Sequence, residues 1–167
     1  MIEVKRGLPE HVEGIARVCI EGRWGAIRHI KSPESLRRND QIFYNQERIR
    51  RELEETDGWD GYFVALDEGN VVGAIGGGMT GEYTSEVFVL YLDPNRRREG
   101  IGTKLLDHLT TIQRTKGAKE QWVSVLKGND KGIPFYEARG FQFVREKKAY
   151  GNAEGENYIS LRYKRQI

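Results

Sequence analysis

The chain has 167 residues, 38% of them apolar and 31% charged, with a formal net charge of +2. That length and composition describe a soluble globular protein with room for one core and one cleft, expected as a single domain over residues 1–167. Two surplus charges are too few for a nucleic-acid binder, which shows a basic stripe and a strongly basic total. Cys19 is the only cysteine, which excludes an intrachain disulfide and a cysteine-based zinc cage. No apolar run is long enough to span a bilayer, and Ile2 to Arg6 alternates rather than forming a signal-peptide core. The expectation is a cytoplasmic protein with no metal, no membrane partner and no nucleic-acid partner.

In chain order, the alternation at residues 2–6 predicts a short strand. Pro9 suits the first turn of a helix whose apolar face carries Val12, Ile15, Ala16 and Cys19, with Gly22 as its stop. Residues 23–31 have no clear period and read as a loop. Ser32-Pro33 starts a helical stretch that runs in one or two pieces to Glu55. Strands follow at Tyr62–Leu66 and Val71–Gly76, joined by the hairpin signal Asp67-Glu68-Gly69-Asn70, and at Val87–Leu92. The run Gly76-Gly77-Gly78 is expected to bend or end its strand. Ile101, Leu105, Leu109 and Ile112 mark an amphipathic helix ending near Gly117. A buried strand at Trp122–Leu126, a short helix at Ile133–Arg139 stopped by Gly140, and strands at Phe141–Val144 and Tyr158–Tyr163 complete the chain. The order β-α-α-β-β-β-α-β-α-β-β predicts an α+β fold, a mixed and mostly antiparallel sheet of about seven strands with helices on both faces.

The segment Arg96-Arg97-Arg98-Glu99-Gly100-Ile101-Gly102-Thr103 carries the strongest chemical signal. A strand ends, a short turn follows and two glycines open an amphipathic helix. The free N–H groups of a first helical turn point outward, and the helix dipole places partial positive charge there. Glycine removes the Cβ that would hold a phosphate away, and arginines add donors. A softened turn with a solvated basic run is the alternative. No Gly-Lys-Ser/Thr follows, so this is not a P-loop, and Leu105 stands at the third glycine position of a dinucleotide fingerprint.

Arg97-x-x-Gly100-x-Gly102 resembles the pyrophosphate motif of the GNAT superfamily of N-acetyltransferases. Val89-Leu90-Tyr91-Leu92-Asp93-Pro94 looks like that family's fourth strand, and Asn129 with Ile133 to Phe141 looks like its second cofactor region. The specific motifs lie in residues 86–143. The resemblance implies acetyl-CoA as cosubstrate and acetyl transfer to a primary amine by direct attack in a ternary complex. It implies the pyrophosphate on Arg97, Arg98, Glu99, Gly100, Ile101, Gly102 and Thr103, and the pantetheine arm on the backbone of Leu90, Tyr91 and Leu92. An N–H near Leu90 would stabilise the oxyanion, and Asn129 would hydrogen-bond the arm.

Tyr136 matches the family's tyrosine acid, and a phenol can donate a proton without prior charge. Glu86 matches the glutamate base of the histone-acetylating branch, and burial among Val87, Phe88 and Val89 would suit it to base chemistry. Otherwise Tyr136 is a half-buried helix tyrosine, Glu86 a solvent-facing strand-end residue and Asn129 a turn residue. Glu82 and Tyr83 could act through a water instead. Acceptor contacts are expected from the first helices and their loop, residues 76–85 and residues 150–157, with Trp24, Glu154 and Glu156 among them. His11 and His108 read as exposed helical residues, His29 as a surface residue that could touch substrate, and Cys19 as a buried small hydrophobe. Small-molecule and peptide amines both suit the acceptor role, and a homodimer is possible. The competing reading is a non-catalytic acyl-CoA sensing module. A kinase-like transferase lacks a Walker lysine and paired magnesium carboxylates.

Overall fold

A computed structural model describes residues 1–167, and its strands join in one seven-stranded sheet of order β1-β2-β3-β4-β5-β7-β6. The elements are β1 (Ile2–Arg6), α1 (Val12–Ile27), α2 (Pro33–Phe43), α3 (Gln46–Arg51), β2 (Tyr62–Asp67), β3 (Asn70–Met79) and β4 (Thr84–Leu92). They continue with α4 (Ile101–Thr115), β5 (Glu120–Leu126), α5 (Gly132–Ala138), β6 (Gln142–Lys148) and β7 (Ile159–Gln166). Every strand pair is antiparallel except β4 with β5. The predicted order and the mixed sheet are therefore observed. Two apolar layers sandwich the sheet: α1 and α3 cover one face through Ile15, Cys19 and Ile49, and α4 covers the other through Ile101, Leu105 and Leu109.

Four local expectations are corrected. Residues 23–27 are helical, because α1 continues to Ile27. Its last turns bury the charged Arg23, which pairs with Asp40 and lies over the Tyr44 ring, while Trp24 donates to Asp40 at 2.8 Å. Gly22 is no stop: a Cβ there would sit 2.8 Å from the Leu92 carbonyl oxygen, so the residue lets α1 lie directly on the backbone of β4. The run Gly76-Gly77-Gly78 does not end its strand, since β3 continues to Met79. Cβ atoms at these positions would collide with the Trp59 ring, the Glu86 carbonyl and the Gly58 carbonyl, so they are glycine because neighbours pack onto them. His11 is buried, closing a 3-10 turn at Pro9–His11 by accepting from the Leu8 N–H at 3.0 Å, and His108 is half-buried against Phe63.

Pairing between β3 and β4 shifts register where Gly76 faces Val89 and Gly77 faces Val87, which leaves Phe88 as an extra residue. Such a bulge bends its strand. Val87 consequently faces the α4 layer while Val89 faces the α1 layer, although they are two residues apart. The β4–β5 ladder ends at the same place, with Val87 opposite Val123. Beyond it β4 stays with β3 and β5 stays with β7, so the two strands part like a fork.

Candidate active site

The fork is lined by Val87 to Leu92 of β4, Val123 to Leu126 of β5, Gly22 and Ala26 of α1, Arg97, Gly102, Asn129 and Tyr136. From Phe88 onward β4 has no strand on its β5 side, so the outward peptide groups of Leu90, Tyr91 and Leu92 face the cleft. At its other end stands the amino terminus of α4. Gly100 holds a left-handed conformation (φ 75°) as N-cap, no side chain caps the helix, and the first intrahelical bond runs from Lys104 N to Gly100 O. The N–H groups of Ile101, Gly102 and Thr103 are therefore free for an anion.

The three neighbouring arginines divide their work. Arg96 is bound internally, with its Nε and Nη2 2.8 Å from Glu99 and Nη2 2.8 Å from Asp67. Its hydrogen bonds hold both carboxyls below their usual range. Glu99 thus braces the loop rather than facing the cleft. Arg97 lines the cleft, and Arg98 is exposed with φ 63°, a left-handed conformation unusual outside glycine. Of the two motif glycines, Gly100 has open space where a Cβ would stand, whereas a Cβ on Gly102 would come 3.0 Å from the Phe135 ring. Only Gly100 frees room for a ligand. Gly102 is small because α5 packs there. Ile101 buries its side chain in the α4 layer and offers only backbone. The Thr103 hydroxyl accepts from Arg139, whose guanidinium lies 3.8 Å from the centre of the Phe135 ring.

Asn129 accepts from the backbone N–H of Lys131 at 3.2 Å and of Gly132 at 2.8 Å, fixing the turn into α5 while it lines the cleft. Tyr136 is 8% exposed and its ring packs edge-on against Phe135 and Phe141. Burial pushes its phenol above the ordinary range, and the neighbouring phenol of Tyr91 adds to the rise. Tyr136 accordingly keeps its proton at neutral pH and has an O–H to donate.

Glu86 alternates with Val87 and so points away from Tyr136, to the opposite face of the sheet. Both its oxygens accept from Arg162, Oε2 from Nη1 at 2.5 Å and Oε1 from Nη2 at 3.0 Å. The Nη1 group also donates to Ser124 Oγ at 2.8 Å. Arg162 therefore ties β4 to β5 and β7 just below the parting of the strands. Sequence reasoning missed this residue, since Glu86 and Arg162 lie 76 positions apart. Among the expected acceptor residues, Glu156 is paired with Arg38, which anchors the β6–β7 connection to α2. Trp24 is committed to Asp40, His29 contacts the Gly128 carbonyl at 3.1 Å, and Tyr83 and Glu82 are exposed away from the strand fork's lining.

A family model described as Acetyltransferase (GNAT) family matches residues 24–141, and the chain belongs to that family. The [ribosomal protein bS18]-alanine N-acetyltransferase of Salmonella typhimurium is 33% identical over 64 residues, which is 38% of this chain and 43% of that protein. The N-alpha-acetyltransferase 50 of Danio rerio is 38% identical over 55 residues, 32% of this chain and 33% of that protein. The chain thus matches less than half the length of either relative. Among solved structures, the PaiA N-acetyltransferase of Thermoplasma acidophilum in complex with coenzyme A superposes with a TM-score of 0.83 at 22% identity, over 100% of this chain and 99% of that one. A GCN5-related N-acetyltransferase of Rhodopseudomonas palustris gives 0.80 at 18% identity, over 99% of this chain and 95% of that one. These likenesses establish the fold. No helix of this chain is long and apolar enough to cross a membrane.

Proposed function

We propose that the chain is an N-acetyltransferase that carries the acetyl group of acetyl-CoA to an amine. One observation carries the reading: the unpaired edge of β4 leads directly to an uncapped helix amino terminus beside Arg97. Pantetheine amides match the first and pyrophosphate matches the second. The open space at Gly100 fits a phosphate against the backbone, and a related fold carries coenzyme A. Acetyl-CoA supplies the activated acyl group. The residues of this chain bind it, orient it and move protons.

Tyr136 lines the fork, and Glu86 stands one residue before the strands part on the opposite face of the sheet, which suits a donor on the thiol side and an acceptor on the amine side. Tyr136, kept neutral by burial, donates to the departing sulfur. Backbone N–H near Leu90 stabilises the oxyanion. An amine with a pKa of roughly 10 reaches the site protonated. Arg162 takes one lone pair on each Glu86 oxygen, which leaves the others for that ammonium. Glu86 then orients the ammonium and passes its proton towards water.

Thiol release from acetyl-CoA over a panel of small amines, peptide N-termini and lysine peptides tests the reading. Turnover with at least one amine class is expected. Tight acetyl-CoA binding with no turnover on any of them would leave the sensing module as the function.

A further inference from the structure

Beyond the fork, one face of the sheet carries an unusual charge arrangement. Trp122 of β5 lies in register with Glu86 on one side and Lys164 on the other, and Ser124 with Arg162. Across β7, Arg162 faces Arg145 and Ser160 faces Lys147. This face therefore presents Arg162, Lys164, Arg145 and Lys147, the first three around one indole. Three of these cations stand over the Trp122 ring, Arg162 at 4.9 Å, Lys164 at 5.3 Å and Arg145 at 5.7 Å from its centre. Each carboxylate on the face already has a cationic partner, Glu86 in Arg162 and Glu120 in Lys164 at 3.5 Å, and Glu120 also accepts from the Trp122 N–H at 2.6 Å. Arg145 and Lys147 are exposed and have no carboxylate partner within the fold. None of these residues belongs to the apolar layer under α1 and α3.

Cations crowded on one ring repel each other, and the fold supplies too few anions to offset them. The row crosses from Arg162 of β7, which holds Glu86 and Ser124, to Arg145 on the neighbouring β6, and continues along β6 to Lys147 at about 3.3 Å per residue. An extended chain leaving the fork with its amine at Glu86 would pass over Arg145 and Lys147 within its next few residues. Resting on the acetyl-transfer reading above, we propose that the acceptor is a polypeptide with acidic residues beside the acetylated amine, and that Arg145, Lys147 and Lys164 hold those residues over Trp122. The patch thus selects the acceptor without taking part in the chemistry.

The test compares equal-length peptides that differ only in the three residues next to the amine: acidic, neutral or arginine. Each is made with a free α-amine and, separately, blocked at the terminus with one lysine. A small neutral-bodied amine serves as the reference acceptor. In at least one amine series, kcat/KM is expected to be about tenfold higher for the acidic peptide than for the neutral one at low salt, with the preference shrinking as salt rises. The variant R145E/K147E should invert the order of acidic and arginine peptides while its melting temperature, acetyl-CoA affinity and turnover of the small amine stay the same. Equal kcat/KM across the peptides, or an order unchanged in the variant, would overturn the proposal and leave the cations as guards against edge-strand pairing. Turnover of the small amine alone would overturn it while keeping acetyl transfer. No turnover of any acceptor would overturn both. A single-stranded RNA oligonucleotide that binds the patch when no peptide preference exists would overturn it in favour of nucleic acid.

Discussion

The two halves of the sheet are built on different terms. In the first half, β2 and β3 are covered on both faces and read as near-continuous buried runs, flanked by the half-buried β1 and β4. Neighbours approach β3 so closely that glycine is required in series: Leu105 and Leu92 at Gly73, the Trp59 ring at Gly76, and backbone carbonyls at Gly77 and Gly78. Past the fork, β7 buries only Ser160 and Tyr163 among half-buried residues, and every residue of β6 is exposed. The first half is fixed by packing that leaves no volume to spare. The second packs one face through Val123, Val125 and Tyr163, and leaves its last strand, β6, to pairing and surface charge.

The largest effect should come from violating the packed half. In Gly78→Ala the new Cβ would stand 1.9 Å from the Gly58 carbonyl oxygen, a clash with backbone that no rotamer relieves. Overpacking of this kind costs about 3 kcal/mol or more, which lowers the melting temperature of a chain this size by roughly 6–12 °C. Lys148→Ala on exposed β6 should stay within about 0.5 kcal/mol of the parent. Thermal unfolding of both variants decides the matter, and comparable losses would break the contrast between the halves.

Next is the boundary itself. Tyr136→Phe keeps the ring contacts with Phe135 and Phe141 and removes only the hydroxyl facing the cleft. Loss of a proton donor lowers kcat by about 10²-fold, while acetyl-CoA affinity and melting temperature should hardly move. The sign of the pH dependence follows from burial, which raises the phenol. Its protonated form therefore persists from neutral pH to beyond roughly pH 10, the value for a free phenol. The rate should show no alkaline fall from this residue below that value. A descending limb near pH 8 that vanishes in Tyr136→Phe would contradict the assignment. An unchanged kcat would remove Tyr136 as the acid.

What could be read beforehand was what lies close together in sequence. The strand, turn, glycines and α4 occupy consecutive residues, so the glycine-opened amino terminus of α4 was legible from residues 96–103. The residues misread were those whose reasons lie far away. Arg23 ends no helix because Asp40, 17 positions on, accepts its charge inside the fold. Gly22 resembles a C-terminal stop until the Leu92 carbonyl is set against it. Gly76-Gly77-Gly78 resembles a break until Trp59 and Gly58 cover it. Glu86 carries no local sign that Arg162 holds it. The alternation in β7 indicated at most that Arg162 and Lys164 share a face. Local propensity fails where tertiary contact sets the residue.

The smallest effect separates two adjacent arginines that no pattern distinguishes. Arg96 is engaged with Asp67 and Glu99, whereas Arg97 lines the cleft and pairs with neither. Arg97→Ala should weaken coenzyme A by about tenfold, the size of one charge-assisted contact. It should do so without lowering the melting temperature and with a smaller salt dependence of binding. Arg96→Ala acts by another route, releasing the loop that presents Arg97 and leaving Asp67 and Glu99 without their shared donor. Both carboxyls titrate below their usual values because of that donor, so the loop's ordering holds above about pH 4 and is lost as the pH falls through the depressed values. Calorimetric titration of coenzyme A against the two variants distinguishes them, because only Arg96→Ala should remove the acid-side dependence of affinity. Equal loss in both, with equal pH profiles, would mean that the three arginines act as one diffuse charge and that the division of labour seen at the helix terminus has no functional weight.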